Sequence, residues 1–185
     1  RSMRIITLPG IEGSDENHWQ THWERARPGM TRFRPSSWDV PDRADWEAAL
    51  ESAVGAGSDR PVLVAHSLAC LLVAHSAARL GSAVRGAFLV SVPNPEGPAF
   101  PAAAASFSGA PSEPFAFPAL VVASSTDPFG TLDYMRARAK AWGAGFVVAG
   151  PLGHINSAGN LGAWPQGAAL LDAFLAGLAV HGADR

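Results

Sequence analysis

Pro61-Val62-Leu63-Val64-Ala65-His66-Ser67-Leu68-Ala69-Cys70-Leu71-Leu72-Val73-Ala74-His75 is the stretch that decides the fold. Pro61 to Ala65 is a short, unbroken apolar run, the pattern of a parallel strand covered on both faces. The residues after Ser67 are apolar nearly all round a helix, so that helix is expected to be buried. Ser67 falls on the join. A tight strand-to-helix turn needs small side chains two positions to either side, and Ala65 and Ala69 meet that need. Such a turn lifts the serine hydroxyl above the carboxyl edge of a sheet and aims the next amide, Leu68 N–H, at the same space. The pattern small-x-Ser-x-small is weak in a chain rich in Ala, Gly and Ser, and a plain N-cap serine would look the same.

Outward from this unit the chain alternates strands and helices. Met3 to Leu8 reads as the first strand, and Pro9-Gly10 opens a turn-rich acidic loop. Asn17 is the expected N-cap of a helix carrying His18, Trp19, His22 and Trp23. Thr31 to Arg34 suits a short edge strand, and Asp42 begins a helix with Trp46, Leu50 and Val54 at helical spacing. After the central helix ends at Gly81, buried strands are expected at Gly86 to Val92, Leu120 to Ala123 and Gly145 to Ala149. Helices are expected from Thr131 to Trp142 and from Pro165 to about Val180. This order implies a three-layer α/β/α fold, one mostly parallel sheet of about six strands with right-handed crossovers. No internal repeat or second domain is evident, and Arg1-Ser2 ahead of Met3 reads as a cloning remnant.

Pro93 to Pro118 breaks the rhythm, with seven prolines and with phenylalanines at 100, 107, 115 and 117. Long loops are commonly lids or binding segments, so these rings either roof Ser67 or merely dock the excursion.

Composition narrows the partners. At 185 residues and 48% hydrophobic the chain can bury a full core. The net charge is -2, with 14 basic residues balanced by 16 acidic ones. That balance gives no case for nucleic acid or an anionic membrane, and a small neutral molecule is the expected partner. No apolar run approaches a membrane span and no signal-like segment precedes the first strand, so a cytoplasmic protein is expected. A lone cysteine, Cys70, excludes an internal disulfide and is expected to pack. His18 and His22 stand four apart and could share a metal, but the glutamate of His-Glu-x-x-His and a third ligand are missing, so neither metal nor cofactor is expected.

Acyl transfer by a hydroxyl needs a base and an anion to orient that base. Ser67, Asp127 and His154 each directly follow a predicted strand, in the chain order of α/β-hydrolases. His18, His22, His66 and His75 compete poorly as the base, and His66 is expected to hold a structural hydrogen bond near the sheet end. The loop after the first strand should supply a second oxyanion donor beside Leu68 N–H, with Ile11 N–H expected and Glu12 its neighbouring alternative.

Ala-His-Ser-Leu-Ala-Cys, Ser-Ser-Thr-Asp-Pro-Phe and Gly-His-Ile-Asn, with the His18-Trp19 pair, together resemble the small serine hydrolases of the retinoblastoma-binding-protein type and their bacterial relatives. The resemblance implies the same triad of Ser67, Asp127 and His154 and the absence of a large cap domain. Ala69 departs from the glycine of many relatives. The Leu-x-Cys-x-Glu sequence tied to retinoblastoma-protein binding is missing, so that partner is not carried over. The combined expectation is a carboxylesterase for small acyl esters. An amidase or acyltransferase with the same residues, or a binding protein on a hydrolase fold, are the alternatives.

Overall fold

The computed structural model describes residues 3–183, so the reading of Arg1-Ser2 lies outside the described residues. Six parallel strands form one sheet: β1 (Ile5–Leu8), β2 (Met30–Arg32), β3 (Val62–His66), β4 (Gly86–Val90), β5 (Ala119–Ala123) and β6 (Gly145–Val148), in the order β2-β1-β3-β4-β5-β6. The central strand β3 is buried along its whole length. Its alternation explains why. Leu63 and Ala65 point into one core with Ile6, Leu89 and Val121, whereas Val62 and Val64 point into the other with Ile5, Phe88 and Val122.

Two layers of helix cover these faces. On the first lie α2 (Arg43–Gly55), α3 (Leu68–Leu80) and α4 (Leu132–Trp142), represented in the core by Trp46, Leu71 and Met135. On the second lie α1 (Trp19–Ala26) and α5 (Pro165–Ala183), through Trp19, Trp23, Leu171 and Leu178. Helix α3 buries nearly all its residues because it packs in the middle of its layer. Cys70 is among them, its Sγ directed at the carbonyls of Ala65 and Val90. No helix among the described residues is long and apolar enough to cross a membrane.

One expectation needs correction, and one open alternative is narrowed. The N-cap of α1 is His18 rather than Asn17: His18 Nδ1 accepts the Gln20 N–H at 3.1 Å, while Asn17 spends its own N–H on Asp15 Oδ1. An imidazole lone pair can therefore do what an asparagine oxygen usually does. In the segment 93–118, where the sequence leaves roofing and docking both open, most of the aromatic rings dock. The segment contains a 3-10 helix, Ala102–Phe107, whose Phe107 packs 5.3 Å from Trp46. Phe115 stacks on Phe117 and Trp142, each ring centre 5.2 Å away. Of the four phenylalanines only Phe100 reaches the cavity above Ser67.

Candidate active site

Because every strand is parallel, the loops after β3, β5 and β6 open on the same carboxyl edge. Ser67 occupies the turn between β3 and α3 with φ 57° and ψ -123°, a backbone region that side chains seldom adopt. Its hydroxyl makes no cap hydrogen bond to α3, so it is not serving as an N-cap. It lies instead 2.7 Å from His154 Nε2. His154 Nδ1 lies 2.9 and 3.1 Å from the two oxygens of Asp127. An ionised carboxylate only accepts, which places the proton on Nδ1 and leaves the Nε2 lone pair for the Ser67 O–H. Asp127 is fully buried, and its Oδ1 also accepts the Phe129 N–H at 3.0 Å.

The loop bearing His154 is held in part by residues, Ser124 and Thr126, that sequence reasoning gave no role. Ser124 Oγ accepts the Leu152 N–H at 2.8 Å and Thr126 Oγ1 accepts the Gly153 N–H at 2.9 Å, so the hydroxyls just before Asp127 grip the residues just before His154. Trp19 Nε1 donates to the Ile155 carbonyl at 2.7 Å from the opposite side. His66 Nε2 donates to the His154 carbonyl at 2.9 Å, the structural bond expected of it. Burial holds His66 far below the usual histidine range, with His18 and His154 adding to the effect, so its ring stays neutral. The hydroxyl run Ser124-Ser125-Thr126 was the only available signal for this clamp.

Gly10 stands close against Ser67. A Cβ there would lie 3.0 Å from the His66 carbonyl oxygen, 3.1 Å from Ser67 Cβ and 3.3 Å from Leu68 N, so only glycine lets the loop after β1 approach so closely. Among the described residues, neither Ile11 N–H nor Leu68 N–H donates to a backbone carbonyl outside the regular elements, and both residues line the cavity. Glu12 N–H is engaged by the Trp38 carbonyl at 2.9 Å, which leaves Ile11 as the available donor of the two considered. The cavity over Ser67 measures about 400 Å³. No group of three or more His, Cys, Asp or Glu among the described residues is arranged to hold a metal ion.

The sequence profile of the family described as Serine hydrolase matches residues 5–173. The chain belongs to the serine hydrolase family. A YdeN-like hydrolase from Pectobacterium atrosepticum is 28% identical, with a TM-score of 0.86 over 96% of this chain and 92% of that one. The ydeN gene product of B. subtilis is 18% identical, with a TM-score of 0.78 over 95% and 100% of the two chains. Alpha/beta hydrolase domain-containing protein 10 from mouse shares the fold at 13% identity and a TM-score of 0.72, over 96% and 91%. No curated protein matches the sequence of this serine hydrolase. The chain is thus a small α/β serine hydrolase with no large cap domain among the described residues, similar to YdeN-like hydrolases, and the retinoblastoma-binding type is only loosely suggested.

Proposed function

We propose that this hydrolase is a carboxylesterase that cleaves small acyl esters through an acyl-enzyme, with Ser67 as nucleophile, His154 as general base and Asp127 as the anion that orients the imidazole. The observation that carries the reading is the continuous path from Ser67 Oγ through His154 to Asp127, with links of 2.7 and 2.9 Å. His154 Nε2 takes the hydroxyl proton as Ser67 Oγ bonds to the acyl carbon. The resulting oxyanion falls between Leu68 N–H and Ile11 N–H, and its collapse expels the alcohol, which takes the proton from His154. Water then repeats the sequence on the acyl-enzyme with His154 again as base. All proton transfers are supplied by these side chains, so the reading invokes no cofactor.

A cavity of about 400 Å³, walled in part by Phe100 and Phe129, supports small and partly apolar esters. Ser67→Ala should lower turnover of a butyrate ester by about four to six orders of magnitude. A fluorophosphonate should label Ser67 stoichiometrically in the wild type and fail to label His154→Ala. Retained esterase rate in Ser67→Ala, or labelling indifferent to His154, would refute the assignment and leave a binding protein on a hydrolase fold.

A further inference from the structure

The cavity over Ser67 is lined by unlike residues, the apolar Phe100 and Phe129 and the polar Glu12, Asp15 and His18. His18 is only 3% exposed, and its Nδ1 is occupied by the Gln20 N–H. A neutral imidazole with an accepting Nδ1 carries its proton on Nε2. Burial, the largest influence, holds His18 down to about 4, so the ring is neutral at physiological pH. Yet His18 Nε2 finds no hydrogen-bond partner among the described residues. Buried donors are nearly always paired. Of the orphaned side-chain atoms among the described residues, only this one belongs to a residue that lines the cavity, so its partner is sought there. The position is close to the chemistry. The His18 ring centre lies 4.8 Å from that of His66, which in turn lies 4.9 Å from that of His154.

Charge restricts that partner. Glu12 and Asp15 line the cavity, whereas no Lys or Arg among the described residues does so. Asp15 is held below the usual carboxylate range chiefly by the Ser157 hydroxyl, which donates to it at 2.6 Å, and therefore remains an anion in any assay near neutrality. The nearby guanidinium of Arg32 is already paired with Glu24 at 2.5 Å. An anionic ligand group would meet two like charges without a free cation to offset them.

We propose that His18 Nε2–H anchors an uncharged oxygen of the substrate, an ether, hydroxyl or carbonyl carried beyond the scissile ester, and that Glu12 and Asp15 turn away substrates in which that group is a carboxylate. The substrate class becomes neutral, oxygen-bearing esters. This rests on the esterase reading above, because the donor serves the cavity in which Ser67 reacts.

Four esters test it: butyl butyrate, its near-isosteres butyl methoxyacetate and 2-methoxyethyl butyrate, and the anionic monobutyl succinate. Each kcat/KM, followed by acid release, is divided by the ester's own hydroxide-catalysed rate to remove intrinsic reactivity. In the wild type one methoxy ester should exceed butyl butyrate by about threefold to tenfold, the range of a single neutral hydrogen bond. His18→Asn keeps an oxygen to cap α1 and removes the ring donor, and it should bring that ratio near one. A general loss of structure would lower all esters together and leave the ratio standing. Monobutyl succinate should run at least tenfold below butyl butyrate, and Glu12→Gln with Asp15→Asn should recover most of the gap without touching the cap. Equal wild-type rates for all the neutral esters, or a preference unchanged in His18→Asn, overturns the anchor. A succinate ester that competes evenly overturns the charge filter. Ser67→Ala separates the two readings: activity that survives it removes the esterase assignment, whereas Ser67-dependent activity without the oxygen preference removes only the present inference.

Discussion

Ser124→Ala tests whether His154, the proposed general base, is held in place by the loop that carries Asp127. Ser124 is 1% exposed, and its Oγ accepts the Leu152 N–H at 2.8 Å and, more weakly, the Thr126 N–H at 3.3 Å. Alanine leaves the Leu152 amide, two residues ahead of His154, only its other acceptor, the Gly150 carbonyl at 3.1 Å. Losing one such hydrogen bond costs about 0.5–1.5 kcal/mol. A chain of this size loses roughly 2–4 °C of Tm per kcal/mol, so the melting point should fall by about 1–6 °C. The chemical effect is separate from the stability effect. A base displaced by a fraction of an ångström from its 2.7 Å contact with Ser67 Oγ should lose about tenfold to a hundredfold in kcat. Thr126→Val removes the matching grip on Gly153 at a more exposed bond, so it should act in the same direction by less. The assay pairs thermal unfolding with kcat on butyl butyrate at a temperature where each variant is folded. A Ser124→Ala protein that melts within a degree of wild type and turns over normally would show that Trp19 and His66 alone fix the base, and the reasoning would be wrong.

Gly10→Ala should fold with a loss of about 1–3 kcal/mol, since its Cβ meets backbone at 3.0 Å, and should lose about two to three orders of magnitude in turnover by pushing Ile11 N–H away from Leu68 N–H. Wild-type turnover in that variant would remove Ile11 as the second donor. His18 is held near 4 in the folded chain against an ordinary value of 6.5, so the unfolded chain takes up its proton first as pH falls. Stability should therefore drop by about 3 kcal/mol between pH 7 and pH 4 on this account and be unaffected above pH 7. Urea midpoints measured across that range should decline less steeply in His18→Asn. Burial raises the Cys70 thiol well above the usual cysteine range, so an aromatic disulfide reagent at pH 8 should titrate no thiol until the protein is unfolded. Rapid labelling of the native protein would show that α3 opens.

The middle of the sheet was legible because β1, β3, β4 and β5 are buried almost throughout and read as apolar runs such as Val62 to Ala65, whereas the edge strands β2 and β6 are partly exposed. The meeting of Ser67, Asp127 and His154 was legible for a related reason: each stands just past a parallel strand, and parallel strands put their carboxyl ends together. Other features depend on partners that local pattern does not reveal. Trp19 reads as core from its spacing, yet its indole N–H holds a carbonyl 136 positions away. Phe100 and Phe107 look alike in a proline-rich segment, and only the packing of Phe107 on Trp46 separates a docking ring from one that faces the cavity. His18 capped α1 unannounced because Asn17, a stronger cap by type, sits one residue earlier and is drawn off by Asp15.

The bend at Ser67 has a consequence for how the protein could be changed. At φ 57° its Cβ is held where a hydrogen atom would rest more easily, and the packing of β3 against α3 keeps it there. Glycine at that position should relax the backbone by about 1 kcal/mol or more, giving a chain that melts later and does nothing. Selection for heat tolerance alone would drift toward that inert form, so any hardening of this enzyme needs a screen for turnover running beside it.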